Sequence, residues 1–184
     1  MHRTCFLIAF SLLVIVFSGC GKRKMYGQLR ELLDSTIILP ERVIGVYDGR
    51  AFIMPDSLRC KTKFILFVDS TECSRCRISR FAKYIDLFRL SDEIQGFVPI
   101  LLVSTPRLEQ AEIIEHLLLI ELPFPVYLDV DHSFVRDNPL VMLDDKFSAI
   151  TVGGDGAILL VGDPAGSDEN MLAYRQKIEN GFSQ

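Results

Sequence analysis

Cys73 and Cys76 are separated only by Ser74 and Arg75. Two thiols at this spacing support three chemistries: an exchangeable disulfide, half of a metal site, or a structural cross-link. The flanking residues narrow the choice. Phe64 to Val68 form a short β-branched and aromatic run before the pair, which reads as a strand buried on both faces. Asp69, Ser70 and Thr71 break that run. After the pair, Ile78, Phe81, Ala82, Ile85 and Phe88 recur at helical spacing, the stripe of a helix packed on the same strand. The cysteines therefore fall at a strand-to-helix turn. There the unpaired N–H groups and the positive end of the helix dipole favour a thiolate at Cys73. The two-residue spacer lets Cys76 reach back and close a disulfide that can open again. Among the flanking charges, Arg75 and Arg77 favour the thiolate and Glu72 and Asp69 oppose it.

The elements that must hold this turn can be read in order. Tyr26 to Asp34 reads as a short helix, and Thr36 to Leu39 as a β-branched run stopped by Pro40. Val43 to Tyr47, Asp48-Gly49 and Ala51 to Ile53 read as a hairpin that adds strands to a sheet edge. Phe97 to Val103 gives a second buried strand, with Pro99 tolerable near its start. Ser104-Thr105-Pro106 looks like a helix start, and Leu108, Ala111, Ile114, Leu117 and Leu118 continue at helical spacing. Val126 to Leu128 is a further strand, and Phe134 and Val135 anchor a short turn beyond it. Ala149 to Val152 and Ala157 to Val161 flank Gly153-Gly154-Asp155-Gly156, a hairpin signal. Met171, Tyr174 and Ile178 mark a last helix. Connection lengths predict parallel crossovers followed by an antiparallel final pair.

With 184 residues and a net charge of −4, the chain suits one domain with an appendage. It has no basic stripe of the kind nucleic acid needs. His2 and Arg3 lead into an apolar run from Cys5 to Phe17, then Ser18, Gly19 and Cys20, which reads as a signal peptide over residues 1–19. Phe17-Ser18-Gly19-Cys20 resembles a bacterial lipobox, in which the cysteine becomes the lipidated first residue; Phe17 departs from the commoner leucine. The expected location is the cell envelope, lipid-anchored and facing the periplasm or the exterior, with Lys22-Arg23-Lys24 against anionic headgroups. An uncleaved anchor helix is the competing reading. Removing residues 1–19 takes Arg3 with it and leaves a net charge of −5. Of the cysteines that then remain beside Cys20, Cys73 and Cys76 are the natural couple in an oxidising compartment, and Cys60 is odd. Cys60 is expected as a buried free thiol.

Strand, Cys-x-x-Cys and helix, early in an α/β pattern, resemble the thioredoxin-like superfamily, in particular its membrane-anchored extracytoplasmic thiol–disulfide oxidoreductases. The resemblance runs from Phe64 to the C-terminus. It implies an α/β three-layer sandwich with a mixed central sheet and a C-terminal antiparallel hairpin. The domain would span residues 60–184, and residues 20–59 would be the linker and N-terminal extension. It also implies Cys73 as nucleophile, Cys76 as resolving thiol, protein thiols or disulfides as partners, and no cofactor. Three family features are missing. Glu72 stands where an aromatic residue is usual, Phe67 where a buried acid is usual, and Phe147 is the nearest match to a cis-proline that faces the disulfide.

Other readings compete with exchange. A non-catalytic binding or scaffold module would keep the pair as a structural disulfide. A copper-delivery variant would use Cys73, Cys76 and His132, although such proteins space their cysteines by three residues. A peroxidase variant would match Ser70 three residues before Cys73, but Leu66 occupies the position of its proline. His116, beside Glu112 and Glu115, is expected on a helix surface. Asp129, Asp131, Asp144 and Asp145 lack the oxygen register of a calcium loop and are expected to be solvated.

Overall fold

The computed structural model describes residues 24–69, 78, 80–104, 107–120 and 122–180, with the backbone alone at 107–109. Residues 24–33 form helix α1. Seven strands follow: β1 (Val43–Tyr47), β2 (Arg50–Ile53), β3 (Thr62–Asp69), β4 (Phe97–Ser104), β5 (Val126–Asp129), β6 (Ala149–Val152) and β7 (Ile158–Val161). The later helices are α2 (Ile85–Glu93), α3 (Arg107–Leu119), α4 (Phe134–Asp137) and α5 (Asp168–Glu179). A 3-10 turn at Phe81–Tyr84 leads into α2.

One mixed sheet holds all seven strands in the order β2-β1-β5-β4-β3-β6-β7. β3 pairs with β4 and β4 with β5 in parallel, while β6 runs antiparallel to both β3 and β7. The crossovers and the final hairpin are those that connection length predicts. β1 and β2 extend the sheet beyond β5, so the N-terminal hairpin adds to an edge as expected. Its turn uses positive φ at Asp48 (50°) and Gly49 (67°), the geometry that suits the twist of a tight hairpin. Pro99 falls where β4 is not yet paired with β5, whose contact begins at Leu102.

The period of two along each strand divides the core into two layers. Phe64, Leu66 and Val68 face one layer with Leu101, Val103 and Leu128, covered by Ile78, Phe81, Tyr84, Leu87, Ile113, Leu117, Tyr174 and Ile178. Ile65 and Phe67 face the other with Ile100, Leu102 and Tyr127, covered by Leu32, Phe134, Val141 and Phe147. β3 is thus buried on both faces, as its unbroken apolar run requires. Burial pushes the Tyr127 phenol up to about 12.

Local patterning and tertiary packing disagree in two places. Of the apolar positions read for α3, Leu117 is buried, but Ala111 and Leu118 are exposed and Ile113 takes the core position instead. Thr36 to Leu39 makes no strand, only a single bridge from Thr36 to Ala157. Asn138 replaces the missing ladder: its amide accepts from Ile38 N–H at 2.8 Å and donates to Ile38 C=O at 2.8 Å. Buried Asn138 also donates to Phe134 C=O at 2.8 Å, tying the N-terminal segment to α4.

Candidate functional site at the C-terminal ends of the parallel strands

β3 delivers the chain to the edge where β4 and β5 also end, the edge at which open α/β sheets place their sites. Segment 70–77 leaves from there. It carries Ser70, Glu72, Cys73, Arg75, Cys76 and Arg77, and it lies outside the described residues, as do residue 79 and Cys20. The chain resumes at Ile78, fully buried in the core layer beneath the helix. Val68 before the segment and Phe81 after it pack in that same layer, so the strand and the start of the helix are fixed on either side of the cysteine motif.

Beside this edge lies a groove of about 560 Å³ floored by Leu66, Val68, Phe81, Tyr84 and Phe147. Met25 and Leu29 of α1 close one wall, and Arg80, Lys83 and Lys146 stand on its rim. Lys83 is paired with Asp163 at 2.6 Å and lies 4.7 Å over the Tyr84 ring. Tyr84 donates its hydroxyl proton to the same carboxylate at 3.0 Å. The groove is therefore apolar below and charged above, a shape that accepts an extended chain with one buried side chain.

Of the three positions at which the sequence departs from the family pattern, Phe67 and Phe147 are in the core and Glu72 lies outside the described residues. Phe147 is buried, ends its turn just before β6, and is followed by no proline; no cis peptide bond occurs among the described residues. Phe67 is buried with its ring 4.9 Å from that of Phe134. An aromatic pair thus fills the space in which an acid would have to be solvated.

Several other expectations change. Cys60 is exposed, not buried, because it lies in the turn before β3 rather than in the strand. Gly154 approaches the Cys60 carbonyl so closely that a Cβ would collide with it. Buried Lys63 stitches this end together, donating to the carbonyls of Arg59 (2.7 Å), Lys61 (2.7 Å) and Gly153 (3.2 Å). Burial lowers the Lys63 ammonium below its usual range, and the three acceptors satisfy all of its donors. Cys60 sits at the far end of β3 from the motif, about 26 Å of strand away at 3.3 Å per residue.

Asp129 is fully buried rather than solvated, whereas Asp131 is partly exposed and paired with Arg42 at 3.1 Å. Asp144 caps the turn before β6 through Lys146 N–H at 3.0 Å, and Asp145 is exposed. His116 is half-buried, with Nε2 enclosed and unpartnered among the described residues. Ser104 ends β4 and donates to Asp129 at 2.9 Å, and the helix expected after Ser104-Thr105-Pro106 begins at Arg107, with Thr105 and Pro106 outside the described residues. Sequence reading missed Ser104 and Asp129 as a pair; their signal was a polar residue closing each of two buried runs. No group of three metal-ligating side chains occurs among the described residues. No helix among them is long and apolar enough to cross a membrane.

A solution structure of a thioredoxin-like protein from Porphyromonas gingivalis superimposes with a TM-score of 0.50, at 15% identity over 82% of this chain and 97% of that one. The fold is thioredoxin-like. A crystal structure from Chlorobium tepidum, described as a thiol:disulfide interchange protein DsbE, gives a TM-score of 0.49 at 16% identity, covering 77% of this chain and 98% of that one. No family model matches the chain, and no curated protein matches it.

Proposed function

We propose that the chain exchanges thiols and disulfides on extracytoplasmic protein partners through Cys73 and Cys76. One observation carries this reading. In a thioredoxin-like fold, the Cys-x-x-Cys motif follows the C-terminal end of central strand β3 by four residues and precedes the packed helix. That is where a helix N-terminus activates one thiol, and the groove floored in part by Phe147 lies beside the same strand end. The test is the reduction potential of the Cys73/Cys76 couple. Exchange requires a value above about −300 mV, within reach of envelope redox partners, whereas a structural cross-link lies below it.

A second reading has a specific observation in its favour. Phe147 and its trans backbone stand where the family places its substrate-binding proline, so the domain would bind partners without turning over disulfides. A potential below about −300 mV together with no exchange supports that reading.

The proposal includes lipid attachment at Cys20, after cleavage at residue 19, and a cell-envelope location. It is supported by the apolar run ending in Ser18-Gly19-Cys20. Replacing Cys20 with Ser is expected to move the protein from the membrane to the soluble fraction or to leave the precursor uncleaved. A cleaved, unlipidated variant that stays with the membrane contradicts it.

A further inference from the structure

Eleven large apolar side chains are exposed among the described residues, and five of them, Tyr26, Leu33, Ile38, Met142 and Leu143, lie on the N-terminal segment and on the chain packed against it. Leu32, Val141 and Phe147 fix these segments in the layer of Ile65 and Phe67. α1 runs along residues 139–147. Leu32 shares a cleft with Pro139, Leu140 and Val141, while Met25 shares the groove with Lys146 and Phe147 and its sulfur lies 3.9 Å from Lys146 Nζ. Met142 and Leu143 fall between those two contacts, and the Ile38 backbone is clasped by Asn138 just before them. Tyr26 and Leu33 are seven residues apart on α1, within about 20° of the same direction. With their neighbours turned into the core, the five side chains form the outer side of this layer.

A cluster of exposed apolar side chains marks a surface that something covers. The charges on α1 and on residues 142–146 nearly cancel, with Lys24, Arg30 and Lys146 against Glu31, Asp34, Asp144 and Asp145. Attraction to a strongly acidic or basic partner is therefore not built in, and burial of apolar area is the available force. Five side chains are too few for a free protein partner, since a stable interface uses about 20–30 residues a side. A tethered surface has no such requirement, because its second contact forms at the effective concentration that the tether sets. Tyr26, a ring with a polar end, stands in the first turn of α1, and Arg30 follows it by one turn with a long apolar stem. These are side chains that suit a boundary between headgroups and acyl chains.

We propose that this face lies on the surface of a lipid bilayer, with Tyr26, Leu33, Ile38, Met142 and Leu143 entering the boundary below the headgroups. This rests on the lipid attachment at Cys20 proposed above. Cys20 is four residues before Lys24, the first residue of α1, at most about 14 Å of chain. The anchor therefore holds the start of the face against the membrane, and a modest apolar gain lays the rest of it down. α5 packs on the opposite layer of the sheet through Tyr174 and Ile178, and its exposed Leu172 is on the side away from the bilayer.

The chain contains no tryptophan, so a single introduced one reports its own surroundings. Full-length lipidated protein carrying Leu143→Trp or Leu172→Trp is reconstituted into phosphatidylcholine vesicles whose acyl chains are brominated near the headgroup. The Leu172→Trp variant reads what tethering alone gives. Bromolipid is expected to quench the Leu143→Trp variant at least about threefold more, because docked side chains reach about 5–10 Å into the boundary. The difference is expected to persist at high salt, because the face carries almost no net charge. Adding Leu33→Asp and Ile38→Asp, at two exposed positions, is expected to abolish the difference while the protein stays with the vesicles. Equal quenching of the two reporters in a protein retained by the vesicles overturns the docked face and leaves lipid attachment intact. A Leu143→Trp reporter shielded from aqueous iodide but untouched by bromolipid shows that a protein or a second copy covers the face, and overturns the proposal. A chain with unmodified Cys20 that is absent from the membranes of its own cells overturns both the docked face and the anchor.

Discussion

Replacing Cys76 with Ser is expected to accumulate a mixed disulfide between Cys73 and a partner protein, and the reciprocal Cys73→Ser variant is expected to accumulate almost none. The asymmetry comes from the turn. On the exchange reading, Cys73 is the cysteine that precedes the helix start expected from the sequence, where a thiolate would be favoured by about 0.3–1 kcal/mol. Cys76 is two residues before Ile78, whose side chain is fully buried. Resolution by Cys76 is intramolecular, and effective concentrations for aligned groups far exceed those of any free thiol. Its loss therefore lowers turnover by on the order of 10³-fold and lengthens the life of the mixed disulfide to the minutes-to-hours scale of uncatalysed rearrangement. Non-reducing electrophoresis of envelope extracts, followed by mass mapping of the adduct, reads this directly. Equal trapping by the two variants, or none by either, favours the non-catalytic module.

Phe67→Asp, the change that would restore the family's buried acid, is expected to unfold the domain. Phe67 is 3% exposed and its ring packs tilted against that of Phe134, which is fully buried. Truncating a buried phenylalanine costs about 3–5 kcal/mol through lost transfer energy and the cavity left behind. The new carboxylate would also be enclosed in an apolar layer with no donor built for it, which costs several kcal/mol more or forces it to stay protonated. Together these approach the whole stability of a domain this size, about 5–15 kcal/mol. Phe67→Leu, which keeps an apolar side chain, is expected to lose only about 1–2 kcal/mol. Urea unfolding separates the two. An Asp variant within about 1 kcal/mol of wild type would show that the layer holds a hidden partner for a charge. The contrast with Asp129 explains the choice of position: a carboxylate is tolerated two strands away, at the end of β5, because Ser104, Ser133 and Phe134 N–H supply it with donors.

What the amino-acid sequence determined by itself was whatever depends on neighbours a few residues apart. β3, β4, β5 and the final hairpin were legible because a strand buried on both faces needs an unbroken apolar run, and tight turns need residues such as Asp48-Gly49 that accept positive φ. The order of elements then limited the pairings, and the spacing of Cys73 and Cys76 between strand and helix pointed to the exchange chemistry proposed above. Tertiary structure alone decided which side chains those elements bury. The face of α3 could not be read from its many apolar positions, because the sheet selects Ile113 and Leu117 and leaves Leu118 to solvent. Cys60 looked like core and is exposed, since it falls in the turn before β3 rather than in the strand. Asp129 looked like a loop acid and is buried, since its donors come from Ser104 on another strand and from the start of α4. Each of these outcomes depends on contacts between residues far apart in the chain, and a periodic pattern carries no record of what will pack against it.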